Sequence, residues 1–248
     1  MKIWIGSAAL FLATSLPMVQ AQETGNDDKV SRVEISNIKG PELRSYSQML
    51  KGMMAYKEKN QLAPNSELFF ILVPKSKNVS TEGLTMRLAS DEASINVPID
   101  VSGKFQLPLL ELKTEDEYDL ILNKPKGQFV IKPYVKSANL AEGTKRLGDI
   151  RLECQVRWAI EKQDVSLIFS SYVKILASGN PCTSSNVSVG YYVPKDVIAI
   201  TLDTPKSKIA LKVKPYTTYN LPIWDTDLSD DGLIKYEVRP QSSTEPEN

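Results

Sequence analysis

The chain has 248 residues, is 42% hydrophobic and 24% charged, and balances 30 Lys and Arg against 30 Asp and Glu. That size and composition suit one large or two ordinary globular domains with a buried core. The charge balance excludes the basic surface that a nucleic-acid binder needs, and the absence of histidine excludes Ser-His-Asp and Cys-His catalysis and the usual zinc and copper ligand sets.

In chain order, residues 1–21 read as a signal peptide. Lys2 supplies a positive start, Ile3 to Leu16 carries no charge, Pro17 breaks the run, and Val19-Gln20-Ala21 offers small residues for cleavage before Gln22. The apolar run is short for a ~30 Å hydrocarbon core, no cysteine stands directly after the cleavage point to carry a lipoprotein anchor, and no later segment is apolar enough to span a bilayer. A periplasmic or secreted location is expected, with no integral membrane segment after cleavage.

Downstream, Val33 and Ile35 predict a short strand, and Pro41 opens a helix with Leu43, Tyr46, Leu50, Met53 and Met54 on one side, ended by Leu62-Ala63-Pro64-Asn65. Short strands are then predicted near Leu68–Val73, Leu84–Leu88, Ile95–Ile99, Lys104–Leu109, Tyr118–Leu122 and Phe129–Pro133. Ser137 to Arg146 is polar and reads as a linker. Ile150, Leu152, Cys154, Val156, Trp158 and Ile160 alternate with mostly polar residues, the pattern of a half-buried strand. Asp164 is placed to cap a helix with Val165, Ile168, Phe169, Tyr172, Val173 and Leu176 on its apolar face, stopped by Ser178-Gly179-Asn180-Pro181. Strands follow near Val187–Val193, Ile198–Leu202, Ile209–Val213, Tyr219–Ile223 and Leu233–Val238. Gln241 to Asn248 has the composition of a disordered tail.

A self-match at an offset of 114 residues relates Leu84–Leu110 to Ile198–Trp224 without gaps. Leu84, Met86 and Leu88 fall on Ile198, Ile200 and Leu202, and Phe105, Leu107 and Pro108 fall on Tyr219, Leu221 and Pro222. Upstream, Val73-Pro74-Lys75 matches Val193-Pro194-Lys195. The period is that of a whole domain, not a solenoid repeat. The expected fold is mainly β, a β-sandwich of Ig or transthyretin type, in two tandem homologous repeats with one inserted helix each; an α+β sheet is the alternative. The expected domains are residues 22–140 and 141–240, with the tail at 241–248.

Two cysteines in an exported chain predict a disulfide between Cys154 and Cys182, here a structural one that pins the second helix to its sheet. No cofactor is implied: there is no glycine-rich phosphate loop and no dinucleotide fingerprint. The acidic stretch Asp225-Thr226-Asp227-Leu228-Ser229-Asp230-Asp231-Gly232 is the one metal candidate, through Asp225, Asp227, Asp230 and Asp231. It lacks the glycine at position six and the glutamate at position twelve of a calcium loop, which favours a solvated turn. Glu111 to Glu117 is acidic at the matching place in the first copy. Tyr191, Tyr192 and Tyr216 are candidate ligand-stacking aromatics, with Tyr219 and Trp224 read as core.

Ile99-Asp100-Val101-Ser102-Gly103-Lys104-Phe105-Gln106-Leu107 resembles the hairpin of transthyretin-like and carboxypeptidase-regulatory-like β-sandwich modules, in which an Asp, a Gly and an aromatic mark a turn into a strand. The second copy departs from it at Lys214-Pro215-Tyr216-Thr217-Thr218, which has no glycine. The resemblance implies an accessory or binding module and no catalytic residue. The expected function is a non-enzymatic structural or protein-interaction role with protein partners in the cell envelope. Carbohydrate binding through the second-copy aromatics and carboxylate-dependent hydrolysis are the alternatives.

Overall fold

The computed structural model describes residues 40–76, 78–110, 117–141, 143–193, 196–211, 213 and 218–239. The signal segment, the strand expected at Val33 and Ile35, the acidic residues 111–116, Pro194 and Lys195, Tyr216 and the tail lie outside them. β1 (Pro41–Ser45) leads into α1 (Tyr46–Glu58). There follow β2 (Ser66–Pro74), β3 (Met86–Ala89), β4 (Ser94–Val97), β5 (Lys104–Phe105), β6 (Asp119–Pro125) and β7 (Phe129–Ser137). β8 (Thr144–Arg146) runs into α2 (Leu147–Glu161), and α3 (Leu167–Leu176) comes next. The chain continues through β9 (Gly190–Tyr192), β10 (Val197–Asp203), β11 (Lys208–Leu211), β12 (Thr218–Asn220) and β13 (Leu233–Val238).

The fold is mostly β, with strand exceeding helix. Four-stranded sheets run β1-β6-β3-β4 and β11-β10-β13-β8, a three-stranded sheet runs β5-β2-β7, and β9 pairs with β12. Registers recur along the chain. Met86 pairs with Val97 and Leu122, and Ile200 pairs with Leu211 and Tyr236, each residue 114 positions further on. Arg44 faces Leu120 as Lys145 faces Ile234. Phe70 faces Phe105 as Tyr191 faces Tyr219, so β2 and β9 stand 121 residues apart, one more than the spacing of Val73 and Val193.

The Asp100–Lys104 hairpin turns on side-chain capping. The Asp100 carboxylate accepts from Ser102 N at 2.8 Å, Ser102 Oγ at 2.7 Å and Lys104 N at 2.9 Å. Gly103 takes the left-handed φ of +83° that the turn requires.

The segment expected as a strand from Ile150 to Ile160 is instead α2. An apolar residue at every second position also makes two interleaved i, i+4 series. At 100° per residue, Leu152, Val156 and Ile160 centre about 160° from Ile150, Cys154 and Trp158. The first series belongs to the core built on Tyr46, Phe70, Leu88 and Leu122. Ile150 and Cys154 belong to the core built on Val193, Ile200, Leu202 and Ile234, and Trp158 packs against it. A helix buried on opposite sides shows the alternation of a strand.

Other expectations shift at their ends. Pro41 begins a strand, and the first helix starts five residues later, at Tyr46. Residues 144–146, read as linker, pair with β13. Ser166, not Asp164, caps α3, accepting from Phe169 N at 3.2 Å; Asp164 instead reaches Arg44 at 3.2 Å and Gln48 at 2.9 Å.

Cys154 and Cys182 are disulfide-bonded, with Cα atoms 5.8 Å apart across 28 positions. The bond ties α2 to the short 3-10 turn Pro181–Thr183 that follows α3, so its anchor is a helix, not a strand. In the chain-entropy account a loop of this size is stabilised by about 3–4 kcal/mol. Since α2 lies in both cores, reduction is expected to lower the melting temperature of a single shared transition, read by calorimetry with and without reductant; an unchanged transition would count against the bond's structural role.

Two glycines let the helices approach their neighbours. A Cβ on Gly148 would lie 1.9 Å from the Leu62 carbonyl oxygen, and one on Gly52 would lie 2.6 Å from Ile160 Cδ1. A backbone carbonyl gives way less easily than a side-chain tip. Gly148→Ala is therefore expected to destabilise by about 2–3 kcal/mol or more, and Gly52→Ala by less, as measured by urea midpoints.

Candidate functional site

A cavity of about 470 Å³ opens where β2, β7, β8, α2 and the β9–β13 region meet. Its size falls within the range of small-molecule sites. Four tyrosines line it, Tyr134, Tyr191, Tyr219 and Tyr236, together with apolar Ile71, Val73, Val197 and Val238. Lys132, Lys145, Glu153, Arg157 and Asp196 bring charge to the same wall. Of the aromatics singled out from sequence, Tyr191 lies here; the side chain of Tyr192 and the whole of Tyr216 are outside the described residues. Tyr219 is core, as expected, and also borders the cavity. Trp224 is 43% exposed and does not share that core role.

The charged wall begins with the edge of β7. Val135 N donates to Glu153 Oε1 at 2.8 Å, and Ser137 Oγ donates to Asp149 Oδ1 at 2.6 Å. Asp149 also accepts from Arg146 N at 3.0 Å, closing the first turn of α2. Two carboxylates four residues apart on one helix thus occupy donors that β7 would otherwise leave open. Lys145 Nζ forms a salt bridge with Glu153, both side chains being 10% exposed. The same ammonium sits 3.8 Å from the centre of the Tyr134 ring, and Lys104 Nζ sits 4.6 Å from it.

Burial raises the Glu153 carboxyl above its ordinary value, although Lys145 and the Val135 N–H pull it down. Burial likewise lifts the phenols of Tyr191, Tyr219 and Tyr236 far above theirs, and that of Tyr134 upward. These tyrosines stay protonated and serve as donors and ring surfaces, not as bases. Tyr219 and Tyr236 share a hydroxyl contact of 2.6 Å, and Tyr191 Oη donates to Ile150 O at 3.3 Å. The Tyr191 and Tyr219 rings lie 5.9 Å apart, and Tyr219 meets Tyr236 edge-on at 6.3 Å. Lys132 is pushed down by burial and then by the neighbouring positive charge of Arg157.

Sequence reading passed over Tyr134, Lys132, Lys145, Glu153, Arg157 and Tyr236. For Glu153 and Arg157 the signal was charge inside a strongly apolar run, and a strand assignment sent both to solvent.

The acidic stretch Asp225–Gly232 folds around a cation from the protein itself. Arg151 Nε donates to Ile223 O at 2.8 Å, Nη1 to Leu228 O at 3.0 Å and to Asp230 Oδ1 at 2.5 Å, and Nη2 to Asp225 O. Asp231 pairs with Arg146, and Asp225 Oδ1 accepts from Asp227 N at 3.0 Å. The loop is organised by arginine. Among the described residues, no three Asp, Glu or Cys side chains converge to hold a metal ion.

A second feature stands apart from the cavity. α3 leaves Leu167, Ile168 and Ile175 at 86%, 85% and 78% exposure and buries only Val173. The apolar face expected to pack is mostly uncovered, because Val173 and Ala177 against Val187, with Trp158 beside them, form only a small satellite core. Among the described residues no helix is long and apolar enough to cross a membrane.

Lys145→Met is expected to cost about 3–5 kcal/mol, since it strands a buried carboxylate. The double variant Lys145→Met/Glu153→Met should recover part of that loss, the remainder being the buried Val135 N–H left without its acceptor. In the single variant the raised Glu153 value makes the folded state hold a proton that the unfolded chain releases. Stability should therefore be highest in acid and fall as pH rises through the carboxylate range, as followed by urea unfolding between pH 4 and 8. No protein-family model, curated protein or solved structure matches the chain, and the cavity is read from its own chemistry.

Proposed function

We propose that this chain is a non-enzymatic exported protein that works by binding, and that the tyrosine-walled cavity is its ligand site. The carrying observation is the cavity itself: four protonated tyrosines beside convergent charged groups in a pocket of small-molecule size. Rings of this kind offer stacking and hydrogen-bonding surfaces to a sugar, the reading that the second-half aromatics suggested. Glu153 is already held by Lys145 and Val135 and is poorly placed to serve as a free acid or base. The disulfide supports an oxidising compartment.

The same reading takes the chain as a tandem duplication. The recurrence of whole strand registers at 114 residues supports it. On that reading β1-α1 and β8-α2 are counterparts, each a strand running straight into a helix, and α3 is an addition to the second half. The cavity is then a product of duplication, lying where one copy's β2 and β7 face the other's strands. The resemblance of the Asp100 hairpin to secreted β-sandwich modules fits an accessory binding role.

A protein-interaction role has its own support in α3. Ile168, Tyr172 and Ile175 follow the i, i+4, i+7 spacing of a helix–helix seam, and all three are exposed. The partner proposed for this seam is a second copy of the chain.

Titration of the disulfide-intact protein with a panel of mono- and oligosaccharides, followed by tyrosine fluorescence and calorimetry, tests the ligand reading. Saturable binding is expected, and Val238→Trp, at the exposed rim of the cavity, should weaken it at least about tenfold while leaving the melting temperature near that of the parent. A panel with no saturable ligand would overturn the reading. For the seam, sedimentation velocity should show a concentration-dependent dimer that Ile168→Lys disperses; a monomer at all concentrations would remove that role.

A further inference from the structure

We propose that the unpaired edge of β9 accepts an extended strand from a second copy of this chain, the segment 28–36 that stands ahead of β1, so that copies join head to tail. This goes beyond ligand binding in the cavity and rests on the duplication reading above.

The two halves match strand for strand except at one place. The order β1-β6-β3-β4 recurs as β8-β13-β10-β11, and β5-β2 recurs as β12-β9. β2 has a second partner, β7, which pairs with it from Ser66↔Ser137 to Pro74↔Phe129. Among the described residues β9 has no second partner. Its inward side chains nevertheless repeat those of β2. Leu68, Phe70 and Leu72 pack in the first core, and Val189, Tyr191 and Val193, each 121 positions further on, pack in the second. The stretch thus carries the pattern of a long half-buried strand, yet only Gly190–Tyr192 is paired. β4 and β11 end their sheets in both halves alike, so the recurrence gives no reason to extend them. The N–H and C=O groups of an unpaired edge are a template for an added strand.

Chain order names the strand. β7 stands directly ahead of β8 and α2, yet it completes the sheet of β2. The leading strand of the second half therefore serves the half before it. Repeating that step sends the segment ahead of β1 and α1 to the half that would precede the first, which is the second half of another copy. Residues 28–36 lie outside the described residues, but their sequence fits. Val33 and Ile35 alternate with Arg32, Glu34 and Ser36. Ile35 stands nine positions before Arg44, and Val135 ten before its counterpart Lys145. A connection one residue shorter thus sets Val33 and Ile35 on the places of Pro133 and Val135, both buried in β7. Since Pro133 faces Phe70, Val33 would face Tyr191 of the neighbouring copy. The sequence after β13 does not repeat the step from β6 into β7: residues 239–248 hold no apolar residue but Pro240 and Pro246. A contact of this kind joins unlike surfaces and leaves each end free to take another copy.

Sedimentation velocity of the disulfide-intact mature chain tests this in an Ile168→Lys background, which removes the α3 seam. Oligomers that lengthen with concentration are expected. Adding Ile35→Asp, a carboxylate at an inward position of the donor, should weaken the association at least about tenfold. A photoreactive benzophenone residue in place of Val33 locates the contact. In an equal mixture of isotope-heavy and isotope-light chains, it should cross-link to residues 187–193 between heavy and light copies, as read by mass spectrometry. A monomer at all concentrations would overturn the proposal, as would oligomers that Ile35→Asp leaves unchanged. Cross-links confined to one copy, or to another part of the neighbour, would also overturn it. Each of these failures leaves the recurrence of strand registers, and with it the duplication reading, standing.

Discussion

Burial of α2 on opposite sides is the constraint from which most of the structure follows. A surface helix needs one apolar stripe; α2 carries two, Leu152/Val156/Ile160 and Ile150/Cys154/Trp158, and each completes a different core. The stripes leave two narrow polar strips between them, and both are used. On one, Asp149 and Glu153 close the edge of β7. On the other, Arg151 gathers the carbonyls and carboxylate of the loop after β12. A helix so enclosed must let its neighbours come close at its ends, which is where Gly148 meets Leu62 and where Gly52 of α1 meets Ile160. The disulfide sits on the second stripe and adds a covalent tie to a helix already buried on two sides.

The same enclosure explains what could be read from the residues alone. The strands were legible because each is half-buried and alternates against one core, and Leu233–Val238 was placed to the residue. The Asp100 turn was legible because its Asx capping and glycine are local chemistry. α2 was not legible as a helix, because period-two alternation over ten residues fits both a one-faced strand and a two-faced helix. Only the existence of two cores separates the two, and that is a tertiary fact. β1 was hidden by Pro41, which marks a helix start and an edge-strand start equally well. The cavity was hidden by the same error: with Glu153 and Arg157 on a strand's polar face they belong to solvent, whereas on α2 they point toward β7 and the cavity. Tyr191 was found for its aromatic neighbourhood, but its partners Tyr219 and Tyr236 come from strands far along the chain, brought together by pairing that composition does not reveal.

A buried ion pair such as Lys145–Glu153 is a poor source of stability, since the cost of removing two charges from water offsets much of their attraction. The raised Glu153 value carries that cost openly. Its presence makes more sense as a constraint on geometry. Glu153 holds Val135 on β7, and Lys145 holds Glu153 from β8 while lying over the Tyr134 ring. Three consecutive elements, β7, β8 and α2, are thereby set at fixed positions around one space. Apolar replacements could pack as tightly, but they would leave the N–H of Val135 without an acceptor.

Rigid walls also decide what the cavity can discriminate. A tyrosine cluster whose hydroxyls are engaged with one another and with backbone offers a ligand surface more than directional bonds. Surface contacts reward size and shape, and a missing group costs them little. Directional selectivity has to come from a charged donor whose position is set before the ligand arrives, because a donor that must be ordered on binding loses part of its gain as side-chain entropy. Arg157 is half-exposed on α2, with its Nε held by Glu161 one turn along.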